Sequence, residues 1–460
     1  MRVLFLFLLI GIEFTMENEY YDVVIIGCGS SGIGAAVEFI SQSNLSIILL
    51  EARDRVGGRA YTDKYSLDFP FDIGAEWMHD FNSDNPLYSL HEQLKTEFDD
   101  DYYIRLFDPT RIACFDSDGS SISQQICAQA QETVQRLFAG KLIDVNEIDV
   151  SVKDAIQDDL NRLDEGHFKR TVEAMIVAIE EIFAADLDQL SAKQYLNEPD
   201  WSIEVGTGEN LVVKRGYGAF LERIVDHYQL PVALETIVTK IDTLSHPNLV
   251  QIFTSQDRKI SAKYVITTIP LGCLKHGTIT FQPNLPQWKL DAIDQLGFGN
   301  TDKVIMQFDT VFWNEKWTII YLADARFPFA LCSLDKRTLS FMIGGRTAQA
   351  MENENDETII AQVMDSLKRA FSQQQFQLEH YIISRWTRDE FARGSYSFFK
   401  PNSNIETMKL LAKECAENRL FWAGEHTSNG ASVHTAFATG KREAQKILKH
   451  HLNQTHITIV

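Results

Sequence analysis

The chain has 460 residues, of which 45% are hydrophobic and 23% charged, which is typical of a globular protein with about two or three domains. The formal net charge is −21, and no tract is rich in lysine or arginine. This balance argues against binding to nucleic acid, because a phosphate backbone requires a basic protein surface. An acidic surface attracts small polycations. The alternative is that the negative charge only keeps the protein soluble.

The N-terminal segment has the pattern of a secretory signal peptide. Arg2 precedes an apolar run over residues 3–12 that is too short to span a bilayer, and no later stretch is long enough to do so. We predict a signal peptide within residues 1–19, cleaved before Tyr20, a product in the secretory pathway or outside the cell, and no stable membrane span. The alternative is a cytoplasmic protein that starts at Met16.

The six cysteines give no sign of a zinc or redox site, because none is spaced as C-x-x-C. No metal site is therefore predicted. One or two disulfide bridges are compatible with the sequence, which does not select the partners, although Cys28 is a poor candidate because it lies in a glycine-rich turn. Asn44 and Asn453 begin glycosylation sequons, which matter only if the chain enters the secretory route.

The first predicted unit is a strand, a glycine-rich turn, a helix and a second strand. The turn carries G-x-G-x-x-G at Gly27, Gly29 and Gly32. These glycines permit a tight turn, close approach of a pyrophosphate and close packing of helix on strand, and the helix directs its positive end at the phosphates. The predicted segments are residues 22–26, 27–32, 33–39 and 46–50.

An acidic residue follows the second strand, as a dinucleotide-binding unit requires. Glu51 lies about 20 residues beyond the last glycine, where an acid accepts hydrogen bonds from the ribose hydroxyls. Residues 55–62 then have the sequence R-V-G-G-R-A-Y-T, whose glycines and arginines indicate a second phosphate contact. NAD enzymes do not need such a contact, so this block favours FAD.

The rest of the chain alternates between helical and strand patterns. Helices are predicted at residues 86–94, 122–139, 152–164, 171–184, 216–227, 289–296, 358–371 and 431–450. Strands are predicted at residues 205–211, 232–241, 249–254, 264–270, 303–308, 317–322, 339–344, 382–386 and 420–423. This alternation predicts two interleaved domains, one that binds the dinucleotide and one that covers its reactive ring.

Further motifs follow in order along the chain. They are G-A-E-W-M-H at 74–79, T-x-P-L-G-x-L-K with F-x-P-x-L-P at 268–286, L-G-F-G-N-T-D-K at 296–303, W-x-R-x-x-x-x-R-G-S-Y-S at 386–397 and F-W-A-G-E-H-T at 421–427. Together with the dinucleotide unit, they resemble the FAD-dependent amine oxidases, most closely the polyamine oxidase and spermine oxidase branch. The last helix departs from that family, with S-V-H-T at 432–435 where the family usually has T-V-H-G.

The resemblance implies an α/β fold with a Rossmann-like FAD-binding domain of the two-dinucleotide-domain flavoprotein type and an interleaved α+β substrate domain. The FAD-binding domain is predicted at residues 20–94, 205–282 and 381–460, and the substrate-binding domain at residues 95–204 and 283–380.

The resemblance also implies non-covalent FAD. Ser395 stands where monoamine oxidases have the cysteine that bonds the flavin. The implied cofactor-binding residues are Gly27, Gly29, Ser31, Gly32, Glu51, Arg53, Gly58, Arg59, Gly74, Ala75, Glu76, Trp77, Val238, Trp386, Gly424, Glu425, Ser432 and Val433.

Three residues take catalytic roles by the same resemblance. Lys303 matches the lysine that holds a water beside flavin N5, Tyr396 matches an aromatic wall of the site, and His79 matches a histidine that fixes a substrate amine. Each has an ordinary alternative: a surface lysine, a core tyrosine and a structural histidine. Glu76 and Asp80 are further candidates for binding a substrate ammonium; Asp80 replaces the usual glycine of the family, and both could equally face solvent.

The implied reaction is oxidation of spermine, spermidine or their N-acetylated forms at a secondary amine. The imine then hydrolyses to an aldehyde and an amine, and dioxygen is reduced to hydrogen peroxide. The alternatives are a monoamine oxidase, an L-amino-acid oxidase, an amine oxidase of the histone-lysine demethylase kind, and a flavin-binding or amine-binding protein without turnover. The sequence leaves the oligomeric state open.

Overall fold

The computed structural model of the protein describes residues 19–99, 108–138, 148–196, 209–323, 326–333 and 335–457. Its helices are α1 (Ser30–Gln42), α2 (Tyr88–Leu94), α3 (Gln124–Phe138), α4 (Val152–Asn161), α5 (His167–Ile182), α6 (Ala192–Tyr195), α7 (Tyr217–Tyr228), α8 (Leu271–His276), α9 (Gln287–Gln295), α10 (Gly345–Met351), α11 (Asp356–Ala370), α12 (Ile405–Ala412) and α13 (Val433–Ile457). Its strands are β1 (Glu19–Ile26), β2 (Ile47–Leu50), β3 (Thr62–Asp63), β4 (Phe71–Asp72), β5 (Trp77–Phe81), β6 (Phe98–Asp99), β7 (Ile112–Phe115), β8 (Ser121–Ile122), β9 (Glu209–Val213), β10 (Val232–Ala233), β11 (Val238–Asp242), β12 (Val250–Thr254), β13 (Lys259–Thr267), β14 (Thr280–Gln282), β15 (Gly297–Phe298), β16 (Thr301–Phe308), β17 (Ile319–Leu322), β18 (Phe329–Ser333), β19 (Thr338–Gly344), β20 (Leu378–Ile383), β21 (Ser397–Phe398) and β22 (Leu420–Trp422).

An eight-stranded sheet carries the predicted dinucleotide unit. Its strand order is β10-β2-β1-β13-β12-β11-β14, and β22 also pairs with β13. Strand β1 lies parallel to both β2 and β13, and its residues 23–26 are all buried. A strand covered on both faces needs an unbroken apolar run, which explains the sequence V-V-I-I at this position.

The C-terminal helix α13 packs along α1 and so returns to the start of the chain. A small residue is required at the crossing, because a Cβ atom on Gly440 would lie 1.8 Å from the carbonyl oxygen of Ser31. Ser30 Oγ also donates to the carbonyl oxygen of Val433 at 2.7 Å. The first turn of α13 therefore lies beside the glycine-rich turn that follows β1.

A seven-stranded sheet of order β20-β16-β19-β18-β17-β7-β8 forms the second layer. Its pairs are antiparallel except β17 with β7. Alternate residues of β7 face opposite sides: Ile112 and Cys114 pack with α3 and α5, whereas Ala113 and Phe115 pack with α11. This period of two places one helix layer on each face of the sheet.

Several predicted element boundaries are wrong. The predicted strand 232–241 is divided into β10 and β11, because the φ of Glu235 is 50°, a left-handed conformation that interrupts a strand. The predicted strand 382–386 ends at Ile383, so Trp386 lies in a turn. The predicted strand 205–211 is observed as β9 at Glu209–Val213, while its residues 205–208 lie outside the described residues.

The proposed signal peptide and the domain ranges stay predictions. Residues 1–18 lie outside the part of the chain that the structure describes, and Glu19 begins β1. Strand β14, which ends at Gln282, belongs to the eight-stranded sheet, whereas β16 to β20 belong to the seven-stranded sheet. Among the described residues, no helix combines the length and the apolar character that crossing a bilayer requires.

One disulfide bridge answers a question that the sequence left open. Cys114 on β7 is bonded to Cys127 on α3, and both are buried. The bridge joins helix α3 to the seven-stranded sheet. Cys28 is a free, buried cysteine, as its place in the glycine-rich turn predicted.

Candidate active site

A cavity of about 790 Å3 is lined by residues from both large sheets. All residues predicted for the cofactor, for catalysis and for the substrate line it, with the exceptions of Gly32 and Asp80. The structure thus brings together residues that are up to about four hundred positions apart in the chain, from Gly27 to Val433. Their individual roles remain predictions.

The nucleotide side of the cavity lies where β1 and β2 end, at Gly27, Gly29 and Glu51. Glu51 Oε2 accepts a hydrogen bond from the backbone nitrogen of Cys28 at 2.7 Å, which fixes the carboxylate at the turn. A Cβ atom on Gly32 would lie 2.0 Å from the carbonyl oxygen of Gly27, so only glycine allows α1 to start this close to β1. A Cβ atom on Gly29 would meet no atom closer than 3.9 Å, so this face of the turn is bare backbone.

The two predicted phosphate-side arginines are held by acidic partners. Arg53 donates to both carboxylate oxygens of Asp389, at 2.6 and 2.7 Å. Arg59 donates to Glu425 Oε1 at 3.0 Å and to the carbonyl oxygen of Ser395 at 2.5 Å. Burial opposes ionisation of Glu425, but the Arg59 charge and hydrogen bonds outweigh it and lower the pKa of that carboxyl. These pairs fix both guanidinium groups at the cavity wall before any ligand binds.

Lys303 is buried rather than at the surface. It is 5% exposed, and its Nζ donates to Glu76 Oε2 and to the carbonyl oxygen of Asp72, each at 2.9 Å. Glu76, one of the candidates for a substrate ammonium, is therefore paired with this lysine. Burial, opposed by hydrogen bonds from Thr62 and Tyr217, raises the pKa of the Asp72 carboxyl to about 6.

Trp386 and Tyr396 form part of the cavity wall. A Cβ atom on Gly74 would lie 3.2 Å from the Trp386 ring and 1.8 Å from the carbonyl oxygen of Arg59. Glycine at this position therefore allows the backbone at residue 74 to pack closely against Arg59 and Trp386. The Tyr396 hydroxyl donates toward the carbonyl oxygens of Glu181 and Ile182, at 2.8 and 3.0 Å. Burial raises the pKa of Tyr396, so its hydroxyl stays protonated. The tyrosine ring is thereby tied to the end of α5.

Glu181 is a cavity residue that the sequence interpretation missed. It is 6% exposed and lines the cavity, and no described residue forms a hydrogen bond or ion pair with its carboxyl group. Burial, partly offset by the Lys303 charge, raises the pKa of this carboxyl to about 8. The signal was present in the sequence, because a glutamate on the apolar face of an amphipathic helix is unusual.

An apolar chamber lines the same cavity as Glu181. Its residues come from α3, α5 and the seven-stranded sheet, and they belong to one hydrophobic cluster. Gln131 and Gln135 of α3 also line the cavity. The residues that define the apolar chamber are Ile112, Val134, Met175, Ala178, Ile179, Ile319, Phe329, Leu331 and Met342.

His79 and Asp80 lie on β5, close to the first turn of α13. His79 lines the cavity and stacks against Trp77, with ring centroids 6.5 Å apart. Asp80 does not line the cavity; its Oδ2 lies 3.9 Å from His434 Nε2. The φ of Asp80 is 52°, a conformation that explains the usual glycine of the family at this position. Burial lowers the pKa of His434 to about 4, so this imidazole is neutral near pH 7.

Comparison with known proteins agrees with the motif resemblance. The family model described as flavin containing amine oxidoreductase matches residues 30–448. The chain belongs to the flavin-containing amine oxidoreductase family. It is 31% identical to polyamine oxidase 2 of Arabidopsis thaliana over 450 residues, which cover 94% of this chain and 88% of that protein. It is 33% identical to polyamine oxidase 4 of Oryza sativa subsp. japonica, over 95% of this chain and 90% of that protein.

A solved structure shows the shared fold of this flavoprotein. A double mutant of putrescine oxidase superposes with a TM-score of 0.73 and 19% identity, covering 94% of this amine oxidoreductase and 100% of that chain. The mixed architecture of two interleaved layers is therefore that of a two-domain flavin-dependent amine oxidase.

FAD is the cofactor of this family, and the residues of this amine oxidoreductase fit it. The bare backbone at Gly29 leaves room for a pyrophosphate, and the start of α1 at Ser30 faces the same space. Glu51 retains free lone pairs for ribose hydroxyls after its bonds to Cys28 and Arg53. Ser395 bonds the backbone of Thr301, with its Oγ 2.8 Å from Thr301 N, and offers no sulfur for a covalent flavin link.

Proposed function

We propose that this amine oxidoreductase oxidises polyamines at a secondary amine, with dioxygen as the electron acceptor and hydrogen peroxide as a product. The observation that carries the proposal is Glu181, a buried carboxyl with no protein partner in the described chain, beside an apolar chamber that lines the same cavity as the predicted flavin residues. A cation with alkyl arms satisfies both features, since the ammonium pairs with the carboxylate and the methylenes fill the chamber.

The chamber also favours the reactive form of the substrate. FAD, when bound, would supply the acceptor for a hydride equivalent from the carbon beside the amine nitrogen. That nitrogen must first lose its proton. An apolar surrounding disfavours the ammonium form of an amine. Glu181 is able to hold one ammonium group while a second nitrogen, further along the same chain, lies in the apolar part and is deprotonated.

Lys303 places a cation at the predicted flavin side of the cavity. Its ion pair with Glu76 and its bond to the Asp72 carbonyl hold Nζ at a fixed position. A fixed, buried cation stabilises negative charge that develops beside it on reduction of the flavin or of dioxygen. We assign Tyr396 to the aromatic wall, where its ring suits both methylenes and an ammonium.

His79 and Asp80 are assigned to a second ammonium of the substrate. His79 is at the cavity lining, and Asp80 is 30% exposed and close to His434. A carboxylate placed here extends the reach of the site beyond Glu181, as a substrate with several amines requires. In this assignment Asp80 contacts the substrate only when the bound amine extends out of the cavity.

The function is tested by peroxide release from the purified, yellow holoenzyme. The substrates are spermine, spermidine, their N-acetylated forms, tyramine and leucine, each at the same concentration. We expect peroxide with at least one polyamine and little with tyramine or leucine. Peroxide from leucine or tyramine, with none from any polyamine, would contradict the proposal.

We also assign the chain to the secretory pathway. The apolar run at residues 3–12 motivates this assignment, and two structural facts agree with it. The Cys114–Cys127 bridge is stable in oxidising compartments, and Asn44 of the sequon is exposed. Expression in cultured cells tests it: the protein in the medium should shift in mass after removal of N-linked glycans, whereas retention in the cytosol would contradict it.

A further inference from the structure

A pair of carboxyl groups lies buried behind the cavity wall. Asp302 is 0% exposed and Glu352 is 1% exposed. One nitrogen, Asn300 Nδ2, donates to both, at 2.7 Å to Asp302 Oδ2 and 2.9 Å to Glu352 Oε1, so the two carboxyl groups lie side by side. Two carboxylates this close cannot both be ionised in a buried site, so they share one proton.

The hydrogen bonds indicate which carboxyl holds the proton. Glu352 accepts from Asn300 Nδ2, from Thr387 N at 2.9 Å, from the Thr387 hydroxyl and from Arg388 N at 3.0 Å, a set that stabilises an ionised group. Burial and the neighbouring Glu352 raise the pKa of Asp302 well above its ordinary value. Asp302 is therefore the member of the pair that holds the proton.

The pair is connected to Lys303 and Trp386, two residues that are predicted to lie beside the flavin. Asp302 Oδ1 accepts from Trp386 N at 3.1 Å and from Ser384 Oγ at 2.7 Å, and Ser384 Oγ accepts in turn from Lys303 N at 2.8 Å. Lys303 and Asp302 are consecutive on β16, so their side chains leave the strand on opposite faces. Residues 384–388 form the turn that places Trp386 in the cavity wall.

We propose that Asp302 and Glu352, the carboxyl pair, share one proton and position Lys303 and Trp386 against the flavin. Neither carboxyl lines the cavity, so both are positioning residues that act through the backbone of β16 and of the 384–388 turn. The inference rests on FAD binding, and it does not depend on which amine the protein oxidises.

No cation replaces the shared proton in the described structure. Arg385 bonds the Asp356 carboxylate at 2.6 Å, and Arg388 bonds the Asn353 side chain at 3.2 Å. Lys303 Nζ is bonded to Glu76 on the other face of β16. Among the described residues, no basic side chain bonds either member of the carboxyl pair.

The pair is tested by two isosteric variants with different expected results. Asp302→Asn replaces the protonated acid with an amide that still donates to Glu352 but no longer accepts from Asn300 Nδ2, so FAD affinity and the visible circular dichroism of the flavin should change much less than in Glu352→Gln. Glu352→Gln turns an amide NH2 toward a backbone donor that needs an acceptor, either Thr387 N or Arg388 N, so FAD affinity should fall by about tenfold or more and the flavin spectrum should change. The exposed sites Asp365 and Glu357 provide matched controls as Asp365→Asn and Glu357→Gln.

The pH dependence of stability separates a protonation effect from a packing effect, because a change in packing alone would alter stability equally at every pH. In the folded wild-type protein, Asp302 keeps a proton that the unfolded chain releases, so its contribution to stability falls as pH rises above the ordinary value of 3.8. Asp302→Asn removes this dependence, so the variant should gain stability relative to wild type as pH rises. Asp365→Asn should show no such gain.

Three outcomes would overturn the inference, and none of them bears on the proposed substrate. They are loss of FAD in Asp302→Asn equal to that in Glu352→Gln, wild-type flavin spectra in both variants, and a melting-temperature difference between Asp302→Asn and wild type that does not change with pH. If Glu352→Gln does not fold, the spectrum and the pH series of Asp302→Asn still decide the matter.

Discussion

The nucleotide side and the apolar chamber of one cavity are built in different ways. The nucleotide side comes mainly from consecutive residues, because Gly27, Gly29 and Glu51 belong to a single strand–turn–helix–strand unit. The apolar chamber comes from two helices and four strands that are far apart in sequence, from Ile112 to Met342. Local motifs therefore predict where the cofactor binds, whereas long-range packing builds the chamber that we propose receives the amine.

The largest effect is expected at the nucleotide side, from Gly32→Ala. Its Cβ atom would lie 2.0 Å from the Gly27 carbonyl oxygen, so β1 and α1 would have to separate. We expect a colourless protein with a much lower melting temperature, measured by absorbance and thermal unfolding. Gly29→Ala is the matched control for packing, because its Cβ meets nothing closer than 3.9 Å; it should keep apoprotein stability and lose FAD affinity alone. Equal effects of both variants would contradict the account.

The second prediction concerns the boundary between the two sides, at Lys303. Lys303→Met should retain FAD, since the lysine bonds Glu76 and Asp72 rather than the nucleotide turn. Flavin reduction or reoxidation should slow by about a hundredfold, because a fixed cation is lost. Stopped-flow absorbance measures both half-reactions, and unchanged rates would remove the assigned role of the lysine.

The third prediction tests the apolar chamber through Glu181→Gln. The variant should raise KM for polyamines by about tenfold, because a buried ion pair with the substrate is lost, while FAD affinity stays the same. In the free wild-type enzyme the carboxyl ionises near a pKa of about 8, so kcat/KM should rise with pH through that value. The variant should lack this limb of the pH profile; a profile equal to that of wild type would exclude Glu181 from substrate binding.

The smallest effect is expected from the Cys114–Cys127 bridge, which holds α3 against the sheet. Replacing both cysteines by serine should lower the free energy of unfolding by about 3 kcal/mol, the usual value for a short closed loop. The substrate KM should rise a few-fold because α3 lines the apolar chamber, and FAD affinity should not change. Loss of FAD with an unchanged substrate KM would contradict the assignment of α3 to the apolar chamber and not to the nucleotide side.

The sequence predicted which residues of the nucleotide side lie close together, because its signals are local. Glycine spacing, the acid after the second strand and the motif around Lys303 each depend on neighbours in the chain, and the structure places these residues around one cavity. The family resemblance supplied their roles, which the fold alone does not provide.

The parts that sequence interpretation missed depend on contacts between distant segments. The sequence marks Glu181 as an unusual glutamate on an apolar helix face, but its place in the cavity follows from the packing of α5 against the seven-stranded sheet. The pairing of Glu76 with Lys303 joins two segments 227 residues apart. The Cys114–Cys127 bridge likewise requires β7 and α3 to be adjacent. These side chains contribute to the site because folding buries them beside partners that are distant in the sequence, which their residue types alone do not reveal.

The most direct test of the account is anaerobic reduction of the yellow holoenzyme by polyamine. Spermine, spermidine or an N-acetylated form should bleach the visible flavin band of wild type, and Glu181→Gln should require a higher amine concentration for the same rate. A holoenzyme that retains FAD but is bleached by no polyamine would contradict it.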